Sequence, residues 1–122
     1  MSQSSEKLEQ EAVIQWSKMY DSLRWLHSSL NGAFLQGDKA ERARRWKSLE
    51  RQGAKNGILD LFLPVWKPPY HGLYIEMKYG KNKMTDSQSE YAKFAELNQF
   101  KVVTCYNAGE AICAIQTYMG MK

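Results

Sequence analysis

The sequence holds few of the residues that define specialised classes of small proteins. Its 122 residues include two cysteines, two histidines and three prolines. The cysteines, Cys105 and Cys113, lack the CxxC spacing of metal and redox sites. We therefore expect both to be buried free thiols in a reducing compartment.

Long apolar runs are also missing. No stretch approaches the roughly 18 apolar residues that a membrane-spanning helix needs. Residues 1–10 are polar and acidic, unlike a signal peptide. A chain of this length buries about two-thirds of its unfolded surface, which is enough for a hydrophobic core. These features predict one domain over residues 1–122, in the cytoplasm and without a membrane partner.

What the sequence does have is a concentrated positive charge. The net charge is +4, yet residues 39–55 carry seven basic and two acidic side chains, a larger excess than the whole chain has. Some of them recur at about one-turn spacing, which makes a stripe suited to phosphate contacts without sequence recognition. A solvated helix face is the alternative, and Trp46 is expected to pack inward rather than to stack on a base. The predicted DNA-binding residues are Arg44, Lys47, Arg51 and Lys55, with Lys81 and Lys83 from a second basic cluster around Lys78.

Apolar periodicity and capping residues predict the order α, β, α, β, β, α, β, α, which is typical of an α/β sheet covered by helices. The first helix is placed at Glu6–Met19, with Ser5 as its N-cap. Its predicted apolar stripe comprises Leu8, Ala12, Trp16 and Met19. The other predicted elements are a strand at Leu23–Ser28 closed by a turn at Asn31-Gly32, a helix at Asp38–Gln52, strands at Ile58–Val65 and Leu73–Lys78, a helix at Thr85–Asn98, a strand at Lys101–Tyr106 and a helix capped by Asn107.

Asp60 is an anomaly, because it is the one charge in the apolar run Ile58–Val65. Burying a carboxylate there without a partner would cost on the order of several kcal/mol. Either something binds Asp60, or it is a strand-end aspartate that accepts backbone N–H groups.

The strand at Leu73–Lys78 alternates cleanly, and successive side chains of a strand point to opposite faces. Leu73, Ile75 and Met77 share one face, whereas Glu76 and Lys78 stand side by side on the other. Taken alone, this pair could be an incidental ion pair on a solvated face.

Pairing of these two strands across Pro68-Pro69 would bring Asp60 and Glu76 together. Adjacent carboxylates repel each other unless a cation lies between them. Mg²⁺ takes oxygen ligands, usually one or two carboxylates with water and phosphate, and the backbone C=O of Met77 would add another. Lys78 would orient a water or offset the charge that develops in the transition state. Phosphodiester hydrolysis needs this combination of groups.

Residues 57–62, followed by residues 75–78, resemble the PD-(D/E)XK nuclease superfamily, and more narrowly the VRR-NUC family of phage and repair nucleases. The resemblance extends from about Glu11 to Tyr118. It departs from the superfamily name at Leu59, which stands where a proline is expected. Its further marks are Asn31-Gly32, Lys55-Asn56-Gly57 and Gln88.

The resemblance implies a restriction-endonuclease-like PD-(D/E)XK core, with Asp60 and Glu76 as ligands of Mg²⁺ or Mn²⁺ and Lys78 as the catalytic lysine. It also implies that Glu11 is an active-site carboxylate and a possible metal ligand, and that Gln88 orients the site. For Glu11 and Gln88 an exposed position on a helix surface is the alternative. By its likeness to stand-alone members of the family, the resemblance further implies a homodimer that acts on branched DNA such as four-way (Holliday) junctions, in the cytoplasm of a bacterium or of the bacterial host of a phage.

Three hypotheses result. The first is a metal-dependent endodeoxyribonuclease that acts on branched DNA. The second is a non-catalytic nucleic-acid-binding module that uses the basic helix of residues 39–55, and the third is an α/β interaction domain. His27 and His71 match no part of the motif, and we expect both to be structural, with His27 near the substrate as the alternative.

Overall fold

The computed structural model describes residues 2–29 and 36–121, and the side chains of residues 6–29 and 36–121. Within these ranges the helices are α1 (Ser2–Ser17), α2 (Lys39–Arg51), α3 (Asp86–Leu97) and α4 (Ala108–Met119). The strands are β1 (His27–Ser28), β2 (Leu61–Leu63), β3 (Leu73–Met77) and β4 (Lys101–Cys105), and a 3-10 turn at Asp21–Leu23 precedes β1. The predicted order of helices and strands is confirmed.

The described strands form one mixed sheet with the order β1-β2-β3-β4. β1 and β3 both run antiparallel to β2, and β4 runs parallel to β3. The predicted hairpin is confirmed, with Leu61 opposite Ile75. Parallel strands need a long crossover, and α3 supplies it between β3 and β4. The predicted α/β fold with a mixed sheet flanked by helices is therefore correct.

The apolar core lies on one face of the sheet, against α1 and α4. Burial of each large apolar side chain contributes about 1.5–3 kcal/mol to stability. α3 covers the other face, where its Tyr91 and Gln88 hydrogen-bond Tyr74 and Glu76 of β3. The alternation predicted for β3 is thus confirmed. The largest core residues are Leu61 and Leu63 of β2, Leu73, Ile75 and Met77 of β3, Val13 of α1, Ile115 of α4, and Leu23.

The inward face of α1 differs from the predicted stripe. Leu8 is 63% and Met19 is 70% exposed, and Ala12 is exposed as well. The residues that face inward are Val13 and Ser17, both buried, and Trp16 packs at the edge of the core. The prediction was wrong because it followed hydrophobicity, whereas part of the inward face is polar.

Some boundaries also differ. Of the segment predicted as a strand at Leu23–Ser28, only the last two residues belong to β1. Leu23 ends the 3-10 turn, and residues 24–26 lie outside helices and strands. Leu23 and Leu26 gave the segment its apolar character, but they are buried in the core from turn positions. α1 begins before the predicted N-cap, Ser5. The predicted turn at Asn31-Gly32 lies outside the described residues.

Side-chain caps fix the starts of the other three helices, as predicted. Asp38 and Thr85 each form a capping box, in which the cap side chain accepts the backbone N–H of the residue three positions on. Asn107 accepts the N–H of Glu110. Such caps are local interactions worth about 1 kcal/mol each. This is why the starts of these helices could be predicted from the sequence.

α2 stands apart from the core. None of its thirteen residues, all of them described, is buried, and Trp46 is half-buried rather than part of the core. Trp46 therefore does not pack into the core, contrary to the expectation from the sequence. No described helix is long and apolar enough to cross a bilayer.

The two cysteines lie in different environments. Both are free thiols; Cys105 is buried, but Cys113 is exposed on α4, which corrects the prediction that both are buried. Burial raises the pKa of the Cys105 thiol to about 11, helped by the negative charge of Glu110.

Candidate active site

Asp60 and Glu76 meet at the end of the β2–β3 hairpin. Asp60 directly precedes β2, and the register that sets Leu61 opposite Ile75 sets Asp60 opposite Glu76. Asp60 Oδ2 accepts the backbone N–H of Met77 at 2.8 Å, and the N–H of Asp60 donates to Glu76 Oε1 at 3.2 Å. The sequence-based expectation that the two acids converge across the hairpin agrees with this geometry.

Lys78 and Gln88 enclose the Glu76 carboxylate. Lys78 Nζ lies 3.1 Å from Glu76 Oε2, and Gln88 Nε2 donates to the same oxygen at 2.8 Å. Lys78 also donates to Gln88 Oε1 at 2.9 Å, so the three side chains form a closed triangle. Glu76 is 1% exposed. Such a network fixes the position of the ammonium group.

Gln88 occupies this position because it belongs to the first turn of α3. Its Oε1 atom also accepts the backbone N–H of Thr85, while its own N–H donates to Thr85 Oγ1. The capping box of α3 therefore includes a side chain of the site. The structure places Gln88 beside Glu76 and Lys78, with a hydrogen bond to each side chain.

Gly57 sets the approach of the chain to Asp60. It has a φ of +90°, and a Cβ built on it would lie 2.5 Å from the backbone oxygen of Ser87. Only glycine allows this backbone to pass so close to the first turn of α3. The approach to β2 and the helix that carries Gln88 are thereby packed together.

Burial raises the pKa of both carboxyl groups. The pKa of Glu76 rises to about 7 because its carboxyl is buried and because Asp60 lies beside it, although Lys78 opposes the shift. Burial also raises the pKa of Asp60, while the bond from Met77 and the charge of Lys78 lower it. Two acids held this close favour either a shared proton or a cation.

The donor set fits a hard divalent cation. Among the described residues, no group of three or more His, Cys, Asp or Glu side chains gathers at metal-binding distance. Mg²⁺ does not need one, because it commonly uses one or two carboxylates and completes its shell with water and phosphate oxygens. Asp60 and Glu76 would hold such an ion, and the backbone C=O of Met77 is the nearest further oxygen in sequence. The repulsion between the two acids is what a cation would relieve.

The structure does not bring Glu11 to this site. Glu11 is exposed, and within the described ranges no hydrogen bond or ion pair joins it to Asp60, Glu76 or Lys78. The α1 carboxyl that senses the charges of the site is Glu6. Burial and the negative charge of Asp60 raise the pKa of Glu6, whereas Lys78 lowers it. The two glutamates are five positions apart along the helix, which places them about 140° apart around its axis.

Glu6 was missed because the apolar stripe of α1 was misplaced. A signal was present: Glu6 lies seven residues before Val13 and eleven before Ser17, which are spacings of one helix face. Polar residues on that face made it look exposed, although a site needs polar residues on the side that faces the reacting groups.

The predicted DNA-binding residues are exposed. Arg44, Lys47 and Arg51 project from α2, and Lys55, Lys81 and Lys83 lie in loops. Arg45 pairs with Glu41 at 4.0 Å, and Arg42 donates to the backbone oxygen of Gly37. Glu41 is thus paired with a residue outside the predicted stripe.

The two histidines are exposed and make local contacts. His27 shares a 2.8 Å hydrogen bond with the backbone oxygen of Trp25 and lies edge-on to Phe62. His71 lies 6.0 Å from the ring of Phe100.

A search of solved structures finds a protein with a similar fold. A solved structure described as a "VRR_NUC domain protein" superposes with a TM-score of 0.75, over 97% of this chain and 90% of that chain. This chain has the fold of that VRR_NUC domain protein. Sequence identity between the two is 24%, so the likeness concerns the VRR_NUC-type fold. No protein-family model matches the sequence, and no curated protein does.

Proposed function

We propose that this chain is a metal-dependent nuclease that hydrolyses phosphodiester bonds in DNA. The observation that carries the proposal is the opposition of Asp60 and Glu76 across the hairpin, with the ammonium of Lys78 held beside them by Gln88. The shared fold with a protein named for a VRR_NUC domain supports the same activity.

Each residue has a distinct role in this proposal. Asp60 and Glu76 hold Mg²⁺ or Mn²⁺, which when bound polarises the phosphate and lowers the pKa of a water molecule. Lys78 offsets the negative charge that develops on the phosphate. Gln88 keeps the Lys78 ammonium in place, and Glu6 adds a carboxyl at the edge of the site.

We further propose that the substrate is branched DNA, such as a four-way junction, and that two copies act together. The exposed cations of α2 suit phosphate contacts that do not distinguish sequences. Two symmetric cuts in a junction require two sites, which a twofold dimer supplies. The proposal of branched DNA as the substrate is supported by the resemblance of the motif to the VRR-NUC family and by the exposed cations of α2.

The direct test is cleavage of a panel of DNA substrates (single-stranded, duplex, flap and four-way junction) with EDTA, Mg²⁺ or Mn²⁺. We expect cleavage only with metal, strongest on the junction, and loss of cleavage in the Asp60→Asn variant. Mixed dimers with one Asp60→Asn copy should nick one strand of a junction without cutting its symmetric partner.

Two outcomes would count against the proposal. Binding of DNA that is unchanged in Asp60→Asn, without cleavage of any substrate, would support a non-catalytic nucleic-acid-binding module. A lack of DNA binding even at low salt would support an α/β interaction domain.

A further inference from the structure

A cavity of about 320 Å³ lies beside the acid pair. Its aromatic wall comes from three neighbouring strands: His27 of β1, Phe62 of β2 and Tyr74 of β3. Residues 53–55, in the loop that follows α2, line another side, and this loop carries the cation of Lys55. Neither acid of the proposed metal site lines this cavity, and of the predicted DNA-binding residues Lys55 alone does.

The sheet register places this wall one step from the acids. His27 is opposite Phe62, and Phe62 is opposite Tyr74. Phe62 lies two residues after Asp60, and Tyr74 lies two residues before Glu76. Because side chains two apart on a strand share a face, the two rings lie on the same face of the sheet as the two acids. Two residues of a strand span about 7 Å. A nucleotide next to a phosphate at the acids therefore reaches the cavity.

The wall offers flat aromatic surfaces held in place by packing. The ring centroids of Phe62 and Tyr74 are 4.5 Å apart, and those of His27 and Phe62 are 5.9 Å apart. A Cβ on Gly72 would lie 2.7 Å from the Phe62 ring. The ring can therefore occupy its position because residue 72 has no side chain. A ring with a fixed position stacks on a ligand without losing side-chain freedom.

The size and the charge of the cavity indicate which class of ligand would fit it. Ligand pockets commonly measure about 300–1,000 Å³, and this one is at the lower limit, which suits a single planar ring system. Lys55 adds a positive charge at the rim, where the phosphate of the same nucleotide would lie. Aromatic surface with an adjacent cation is the usual composition of sites for unpaired bases.

We propose that this cavity holds one unpaired base of the DNA strand, the base next to the phosphate bound at Asp60 and Glu76. The proposal rests on the proposed nuclease function and gives it a source of selectivity. A base leaves the duplex stack at lowest cost where pairing is already disturbed. The cavity therefore favours branch points over continuous duplex, without reading the sequence.

The test uses four-way junctions that carry one 2-aminopurine at each position within about three nucleotides of the branch point. They are bound with Mg²⁺ by protein that carries Lys78→Ala, so that the metal can hold the phosphate while cleavage is slow. Stacking on an aromatic wall quenches the fluorescence of this base analogue. We expect strong quenching at one position, adjacent to the phosphate that the protein cuts with Mg²⁺. An abasic nucleotide at that position should weaken binding about fivefold or more.

His27→Ala is the variant of choice, because His27 is exposed and its loss leaves the core intact. We expect it to reduce the quenching and to weaken binding of the intact junction about fivefold, with no further loss for the abasic junction. His71→Ala is the matched control, since His71 is also exposed and also contacts a ring, but it lies outside the cavity. Unchanged melting temperatures would show that both variants are folded.

The outcomes separate the base site from the nuclease function. Cleavage with metal but no position-specific quenching, or quenching that His27→Ala leaves unchanged, would overturn the base site alone. Weaker binding by His27→Ala to intact and abasic junctions alike would assign the cavity to the phosphate backbone and also overturn it. An absence of cleavage with Mg²⁺ or Mn²⁺ would overturn the nuclease function, while the quenching would still report on the cavity.

Discussion

At the residue scale, the Glu76 carboxylate is both buried in the fold and part of the proposed metal site. It is 1% exposed, yet it accepts hydrogen bonds from the backbone of Asp60 and from two side chains. A buried charge requires such partners, because desolvation is otherwise too costly. The partners, in turn, hold Lys78 in a fixed position.

Lys78→Ala should reduce metal-dependent cleavage by at least about 100-fold, since it removes a positive charge from the place where, in the proposed function, the phosphate would react. Manganese binding should persist. Because Lys78 also lowers the pKa of Glu76, binding is best measured by calorimetry at a pH well above 7. Lys93→Ala, an exposed lysine on α3, is the control. Full turnover by Lys78→Ala would show that another residue has the role assigned to it.

The two α1 glutamates give a second test at this scale. Glu6→Gln should lower metal-dependent cleavage about tenfold, as loss of a group that supports a metal site commonly does. Glu11→Gln should be close to the unaltered protein, because Glu11 is exposed on a different side of the helix. Rates measured with Mg²⁺ over a concentration series decide the matter. The opposite ranking would restore Glu11 as the active-site carboxylate and exclude Glu6.

At the element scale, the site depends on how closely the loop before β2 packs on α3. Gly57→Ala should lose more stability than Gly53→Ala, although both glycines have positive φ values, +90° and +111°. Alanine in such a conformation costs about 1–3 kcal/mol. Gly57→Ala additionally collides with Ser87 and displaces Gln88, whereas nothing lies within 4 Å of the added Cβ at Gly53.

Chemical denaturation and cleavage rates of the two glycine variants provide the measurements. Gly57→Ala should lose most cleavage, and Gly53→Ala should lose much less. Equal losses in the two variants would mean that the close approach of Gly57 to α3 does not hold the site together.

The charge of α2 is the second element-scale feature open to test. Reversal of Arg44 and Lys47 to Glu should weaken DNA binding and flatten its dependence on salt, by about 0.9 in the log–log slope for each phosphate that the helix no longer neutralises. Reversal of Lys18 and Lys93, which are exposed elsewhere, changes the net charge equally. If both double variants behave alike, net charge rather than α2 governs binding.

Local signals explain which elements could be predicted. Three helix starts could be predicted because their cap side chains bond to a backbone N–H only three residues on; the caps are Asp38, Thr85 and Asn107. The alternation of β3 could be predicted because it is visible in the sequence of the strand itself. The acid pair could be predicted because the hairpin joins neighbouring segments. The face of α1 could not, since contacts with α4 and the site select it, and these are distant in sequence. The shortness of β1 has the same cause: Leu23 and Leu26 are buried without strand pairing.

At the scale of the whole molecule, the acid pair makes stability depend on pH. The pKa of Glu76 in the fold, about 7, is above its ordinary value of 4.5. The folded protein therefore binds this proton more tightly than the unfolded chain does. The stabilisation is complete below about pH 4.5 and is lost as the pH rises through about 7. Metal-free protein should thus lose melting temperature relative to Glu76→Gln between pH 5 and pH 8.

Divalent metal should reverse that loss. At pH 8 a cation takes the place of the proton between the acids, so Mg²⁺ or Mn²⁺ should raise the melting temperature of the unaltered protein and scarcely change that of Glu76→Gln. Melting curves at several pH values, with and without metal, provide the measurement. A difference between the two proteins that stays constant with pH would show that Glu76 titrates normally.

The double engagement of Gln88 affects how the protein would fail on warming. The same amide oxygen closes the first turn of α3 and receives the Lys78 ammonium. Helix ends open early in many proteins. Fraying of that single turn would therefore release the Lys78 ammonium while the hydrophobic core is still intact. Heat should abolish the proposed cleavage several degrees below the temperature at which the sheet melts, and the cleavage should return after brief overheating and cooling.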